Sequence, residues 1–160
     1  MIGRGGDGWP AHESYPADGA AGARPAAARL PGNRPRVLIV DDEPAICKAL
    51  FVTFEQTGFE PVVALSSDAA MSIVQTQHID LLLIDLHLRG DLRGDTIFEL
   101  IAAHQPHVRQ HTLFMTGDIS EFAHKIIAAC QCELLRKPFD LQDVIDAMHA
   151  MMPQAHDAAG

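Results

Sequence analysis

The chain has 160 residues, 48% of them apolar, and a formal net charge of −9 at pH 7. That length bounds it to one domain with a tail, and the apolar share is enough for a packed core. No run approaches the roughly 18 apolar residues of a membrane span, and the N-terminus lacks the apolar segment of a secretory signal, so no membrane partner is expected. Residues 1–35 hold four arginines and three acids, a net of +1, which leaves −10 for residues 36–160. An acidic body is the opposite of a phosphate-neutralising surface, so no nucleic-acid partner is expected either. Three cysteines, Cys47, Cys130 and Cys132, are an odd number suited to a reducing compartment, which makes a cytoplasmic location the default.

Residues 1–35 are rich in Gly, Ala and Pro without apolar periodicity and are read as a disordered tail. The Ala/Arg stretch from Ala20 to Arg29 faintly resembles an organelle transit peptide, and a flexible tail or an upstream start codon explains it more simply. From Arg36 the pattern changes. Val37-Leu38-Ile39-Val40 reads as a strand buried on both faces, and Asp41-Asp42-Glu43-Pro44 follows, with Pro44 suited to the first turn of a helix. Ile46, Ala49, Leu50, Thr53 and Phe54 recur at helical spacing up to Gly58, read as the C-cap. Phe59 to Leu65 is a short strand, and Ser67 caps a second helix with Ala70, Ile73 and Val74 inside. Leu81 to Ile84 is an apolar run that ends in Asp85. A loop with Gly90 and Gly94 leads to a helix carrying Ile97, Leu100 and Ile101. Thr112 to Met115 is a fourth strand ending in Thr116-Gly117, and the next helix presents Ala123, Ile126, Ile127 and Cys130. Leu134-Leu135 is a short fifth strand closed by Arg136-Lys137-Pro138-Phe139. Asp140 caps a last helix with Leu141, Val144, Ile145 and Met148 at core spacing, and residues 153–160 form a short tail.

Strands and helices thus alternate five times over residues 36–152. The fold class is α/β: a flavodoxin-like (βα)5, doubly wound, five-stranded parallel sheet with strand order 2-1-3-4-5. In that order the first and third strands are neighbours, and Asp41, Asp42 and Asp85 converge where the winding reverses. Adjacent strands lie roughly 4.8 Å apart, so three carboxylates there repel unless a cation intervenes. A hard divalent ion such as Mg²⁺ (or Mn²⁺) suits carboxylate oxygens and keeps open positions for a phosphate oxygen. Thr116 brings a hydroxyl, Gly117 an N–H and Lys137 an ammonium to the same edge. Such a set stabilises charge spread over a transferring phosphoryl group, and an aspartate can itself accept it as an acyl phosphate.

Four strand-end motifs, Asp41-Asp42-Glu43-Pro44, Asp85, Met115-Thr116-Gly117 and Lys137-Pro138-Phe139, resemble those of the response-regulator receiver domains of two-component signalling. The resemblance covers residues 36 to 152. It implies that Asp85 is phosphorylated by a histidine kinase or a histidine phosphotransfer protein. It further implies that Asp42, Asp85 and the His87 backbone carbonyl bind Mg²⁺ directly, with Asp41 acting mainly through water. Thr116 is then the switch residue, Lys137 holds a phosphoryl or carboxylate oxygen, and Pro138 follows it in a cis peptide. His87 and Asp118 occupy positions that tune phosphoryl lifetime. The output would be a protein contact or a phosphorelay, with no output domain after Lys137, on a face where Phe122, Ala123, Leu134 and Met148 lie.

The sequence departs from the family pattern in places. Leu134 stands where a switching aromatic is usual, Arg89 stands where a proline is usual, and the loop Gly90–Gly94 is longer by about one residue than the common pattern. Two other functions compete. A haloacid-dehalogenase-like phosphatase uses similar residues but spaces its two acids differently, and a phosphorylation-independent binding module would keep the acid pocket as a relic. Acids serving only as helix caps would not require Thr116 and Lys137 at the other strand ends. His104, His107 and His111 around Pro106 are read as solvated loop residues, and Cys130 and Cys132 as structural thiols. Arg89 and Arg93 are read as a solvated charged face, ahead of steering an acidic partner or shaping the loop.

Overall fold

The computed structural model describes residues 34–90, 92–117 and 120–152. The tails expected at 1–35 and 153–160 lie outside these residues apart from Arg34 and Pro35, and Asp118 lies outside them too. Five strands, β1 (Arg36–Val40), β2 (Glu60–Ala64), β3 (Leu81–Asp85), β4 (Thr112–Thr116) and β5 (Glu133–Arg136), form one sheet in the order β2-β1-β3-β4-β5. Every pairing is parallel. Five α-helices connect and follow them: α1 (Pro44–Gln56), α2 (Ser67–Thr76), α3 (Gly94–His104), α4 (Glu121–Cys130) and α5 (Leu141–Met151). A short 3-10 helix, Pro106–Gln110, stands between α3 and β4 where the sequence suggested only a turn.

Apolar side chains fill both faces of the sheet, as parallel strands between two helical layers require. On one face Leu38, Val40, Leu82, Ile84 and Phe114 pack against α2 and α3. On the other, Val37, Ile39, Leu81, Leu83 and Met115 pack against α1 and α5. Alternate residues of one strand thus serve opposite cores, and this fixes the register by which each strand delivers its tip.

Three local expectations need correcting. The side chain that caps α2 belongs to Ser66, whose oxygen accepts from the Ala69 N–H, and not to Ser67. The C-cap of α1 is Thr57, and Gly58 comes one residue later with φ +95°, where the Phe59 N–H bonds back to the Phe54 carbonyl. The buried stripe of α3 is Gly94, Ile97, Phe98, Ile101 and Ala102, which leaves Leu100 41% exposed. That stripe is the i, i+3, i+4, i+7, i+8 pattern of one helix face, and Leu100 falls off it. Ile126, Ile127, Cys130 and Leu141 are only partly buried.

One loop closure bears directly on the tip of β3. Gly94 opens α3 with its N–H on the Leu86 carbonyl, and a Cβ at that position would stand 2.1 Å from the Asp85 carbonyl oxygen. Backbone cannot yield as a side-chain tip can. Gly94→Ala is therefore expected to lower stability by about 3 kcal/mol, whereas Gly117→Ala, whose Cβ would meet nothing within 4 Å, should stay within about 0.5 kcal/mol of the parent. Urea denaturation of the two variants checks the contrast, and equal stability would remove the close-approach account.

Candidate functional site

The site lies where β1, β3, β4 and β5 end, and backbone bonds carry the sheet one step past β1, β3 and β5. The Asp41 N–H donates to the Ala64 carbonyl, the Leu86 N–H to the Met115 carbonyl and the Lys137 N–H to the Thr116 carbonyl. The residues that follow the strands are therefore held nearly as firmly as the strands themselves. The Lys137–Pro138 peptide bond is cis.

Asp41 and Asp85 are oriented by the same device. One oxygen of each, Oδ1, accepts the backbone N–H two residues on, from Glu43 and His87 respectively, both at 2.9 Å. This local turn, to which Asp is suited, leaves the second oxygen free to aim across the sheet edge. Lys137 Nζ donates to Asp41 Oδ2 and to Asp85 Oδ2, each at 3.0 Å, and lies 3.8 Å from Glu43 Oε1. Asp42 is held differently, for its Oδ2 accepts the Arg89 N–H at 2.9 Å. The carboxylates of Asp41, Asp42 and Asp85 each offer an oxygen within 4.8 Å of the others, and they are the one such cluster of potential metal ligands among the described residues. A set of three hard oxygen donors fits a divalent ion of the Mg²⁺ class and not a soft metal.

Electrostatics explain why Asp41 and Asp85 need a counter-charge. The Asp41 side chain is fully buried and Asp85 is 5% exposed. Burial raises the Asp41 carboxyl above its ordinary range and the Asp85 charge adds to the rise, while the Glu43 N–H and Lys137 restrain it. Burial works against the Lys137 charge, yet hydrogen bonds to Asp41 and Asp85 outweigh it and hold that ammonium above its ordinary value. Cys47 lies beneath, with its thiol on the Asp41 carbonyl, and burial together with the nearby Asp41 charge pushes it up to about 12. It is a structural thiol at the floor of the site.

Asp42, Glu43, Asp85, His87, Arg89, Gly117 and Lys137 line an open cleft of about 600 Å³. Thr116 is fully buried at the tip of β4, next to the exposed Gly117. Thus Asp41, Asp42, Asp85, Thr116, Gly117 and Lys137 meet at one edge, and His87 joins them by its N–H. Sequence reasoning passed over Glu43, visible only as part of the acidic run, and the backbone bond from Arg89 to Asp42, although the Arg89 side chain is solvated as read, at 90% exposed.

The other singled-out residues lie elsewhere. His107 is not merely solvated: its Nε2 is 2.6 Å from the Ile79 carbonyl and its ring stacks on His78 at 4.7 Å. Cys130, the last residue of α4, and Cys132, just before β5, are free thiols. Arg93 lies over the Phe122 ring at 4.6 Å and pairs with Asp95.

If Lys137 is the counter-charge of two buried carboxylates, its removal leaves both uncompensated. Lys137→Met should cost about 3 kcal/mol at pH 7. Adding Asp41→Asn should recover part of the loss, because one orphaned charge is removed and the amide oxygen can still accept the Glu43 N–H. Urea denaturation in a double-mutant cycle reads the coupling, and simple additivity would contradict it.

Comparison with known proteins places this geometry. A family profile described as the response regulator receiver domain matches residues 37–149, more than half of the chain. A putative NtrX-like response regulator from Rickettsia typhi is 28% identical over 110 residues, which cover 68% of this chain and 23% of that protein. The chain therefore spans about a quarter of the length of such curated relatives. The chemotaxis protein CheY4 of Vibrio cholerae is 19% identical with a TM-score of 0.68, covering 74% of this chain and 99% of that one. A response regulator from Burkholderia pseudomallei, described with a phosphorylated aspartic acid and a calcium ion, is 23% identical with a TM-score of 0.64 and covers 71% of this chain and 66% of that one. No helix of the described residues is long and apolar enough to cross a membrane. With the profile spanning both cores and all four strand-end motifs, the chain belongs to the response regulator receiver domain family.

Proposed function

We propose that this receiver accepts a phosphoryl group on Asp85 from the phosphohistidine of a histidine kinase or histidine phosphotransfer protein. The observation that carries the reading is Lys137 Nζ at 3.0 Å from both Asp41 and Asp85, beside a third carboxylate within ligand distance. An Asp85 carboxylate oxygen attacks phosphorus. The P–N bond to the donor imidazole breaks, and its electron pair returns to that nitrogen. Lys137 is placed to meet charge that develops on the phosphoryl oxygens, which is how such transfers are accelerated. The Gly117 N–H and the Thr116 hydroxyl are assigned the same task from the neighbouring strand tip. Asp42, Asp85 and the His87 carbonyl would hold Mg²⁺ or Mn²⁺, with Asp41 contributing through water. When bound, that ion neutralises charge shared by the acids and the incoming phosphoryl group. That the Burkholderia protein is described with a phosphorylated aspartic acid supports an aspartate as the acceptor.

Beside the cleft an apolar groove of about 500 Å³, lined by Ile46, Leu50, Pro138, Phe139 and Leu141, shares Glu43 and Lys137 with it. Its position supports docking of the donor protein there. His87 and Asp118 are assigned the tuning of phosphoryl lifetime. Signalling then runs by protein contact or onward relay. Membership of the receiver family argues against the haloacid-dehalogenase-like alternative. The phosphorylation-independent reading is favoured by one observation, that Leu134 holds the aromatic position of the family. A partner that binds equally with and without a phosphoryl mimic would support it, because equal affinity shifts no equilibrium.

Acetyl phosphate with Mg²⁺ supplies the direct test. The wild type should form an acyl phosphate that hydroxylamine releases, chelation of the metal should abolish labelling, and Asp85→Asn should form none. Labelling of Asp85→Asn equal to the wild type would overturn the acceptor assignment.

A further inference from the structure

Arg89, four residues beyond Asp85 in the β3–α3 loop, touches the cleft in two separable ways. Its backbone N–H donates to Asp42 Oδ2 at 2.9 Å, and its Nε stands 3.8 Å from the same oxygen. The first contact fixes the Asp42 carboxylate and belongs to any residue at this position except proline. The second is a unit positive charge at the rim, on a side chain that is 90% exposed, against an Asp42 side chain that is 14% exposed. The charge of Lys137 is committed deeper in the site, to Asp41 and Asp85. Arg89 therefore acts on the outer carboxylate, from the solvent side of the cleft that it helps to line.

We propose that the Arg89 guanidinium sets the divalent-cation affinity of the cleft by opposing the ion electrostatically across Asp42. The proposal rests on the reading of the acid cleft as a cation site. A guanidinium stays charged throughout the physiological range, so the opposition is present at every working pH. Like charges that near one another across a wet rim interact weakly but measurably, more so for a doubly charged ion, and salt screens them. Arg89 is thus a positioning and affinity-setting residue. It keeps the site loose, so that occupancy follows the free cation concentration.

Isothermal titration of the full chain with Mg²⁺ tests this in the wild type, Arg89→Lys and Arg89→Gln. All three keep the backbone bond to Asp42. At low ionic strength Arg89→Gln should bind Mg²⁺ about three- to tenfold more tightly than the wild type, and Arg89→Lys should stay within about twofold of it. In about 1 M monovalent salt, where the screening length falls to ~3 Å, the gain of Arg89→Gln should shrink below about twofold. Equal shifts in the two variants would show that the shape of arginine matters and its charge does not, which overturns the proposal. So would an Arg89→Gln affinity that is unchanged, weaker, or tighter to the same degree in high salt. If neither wild type nor Arg89→Gln binds Mg²⁺, the cation-site reading falls and takes the proposal with it. A wild type that binds beside an indifferent Arg89→Gln removes the proposal alone.

Discussion

One ammonium shared by two buried carboxylates governs this molecule. Burying a charge without a partner is expensive, and two like charges side by side are worse. Asp41 and Asp85 nonetheless sit at 0% and 4% residue exposure. What makes this tolerable is Lys137, which reaches them from a strand two places removed from β3 in the sheet. The contact spans 96 residues to Asp41 and 52 to Asp85. It can form only when the parallel register of four strands is correct, so the site reports on the whole sheet. A one-residue slip would send each strand's inner and outer sets to the wrong cores and withdraw the tip residues together.

The two acids are prepared by short-range chemistry for this long-range contact. Each spends one oxygen on the N–H two residues ahead, which orients the carboxylate before any partner arrives. Asp140 does the same toward the Gln142 N–H at the start of α5, where the result is only a helix cap. The local geometry of an aspartate after a strand is therefore common, and function arises from where the second oxygen points. At Asp41 and Asp85 it points to Lys137 Nζ.

This distinction marks what could be read in the sequence. Runs such as Val37–Val40 and Leu81–Ile84, each ending in acid, announce buried strands and a charged edge, and the alternation with helical periods gives the topology. Thr116 and Lys137 followed because they too end apolar runs. Contacts that break no pattern were not legible. Ser66 and Ser67 are equivalent caps by composition, and only the entry angle of the chain selects Ser66. The stripe through Phe98 and Leu100 can be drawn two ways until the sheet decides. Gln105 is buried and bonds to the Ile79 N–H and to the Val74 and Gln77 carbonyls, all at least 26 residues away, so no local rule could place it. Arg89 is the same kind of case, separated by 47 residues from the acid it holds.

Burial is also unequal across the sheet, and the inequality bears on signalling. Every residue of β3 and β4 is buried, whereas no residue of β5 is, and α4 buries Ala123 alone. Elements with few buried side chains open or shift at lower free energy than a packed centre. The acids thus belong to the stiff part of the fold, while Lys137 follows the compliant edge strand and Thr116 lies on the boundary between them. Leu134, paired in register with Phe114, is half-buried against that boundary and has no ring to swing. A change at Asp85 therefore meets least resistance where Lys137 and Thr116 adjoin β5 and α4. With leucine at position 134, that edge offers backbone and no aromatic rotor for a displacement to follow.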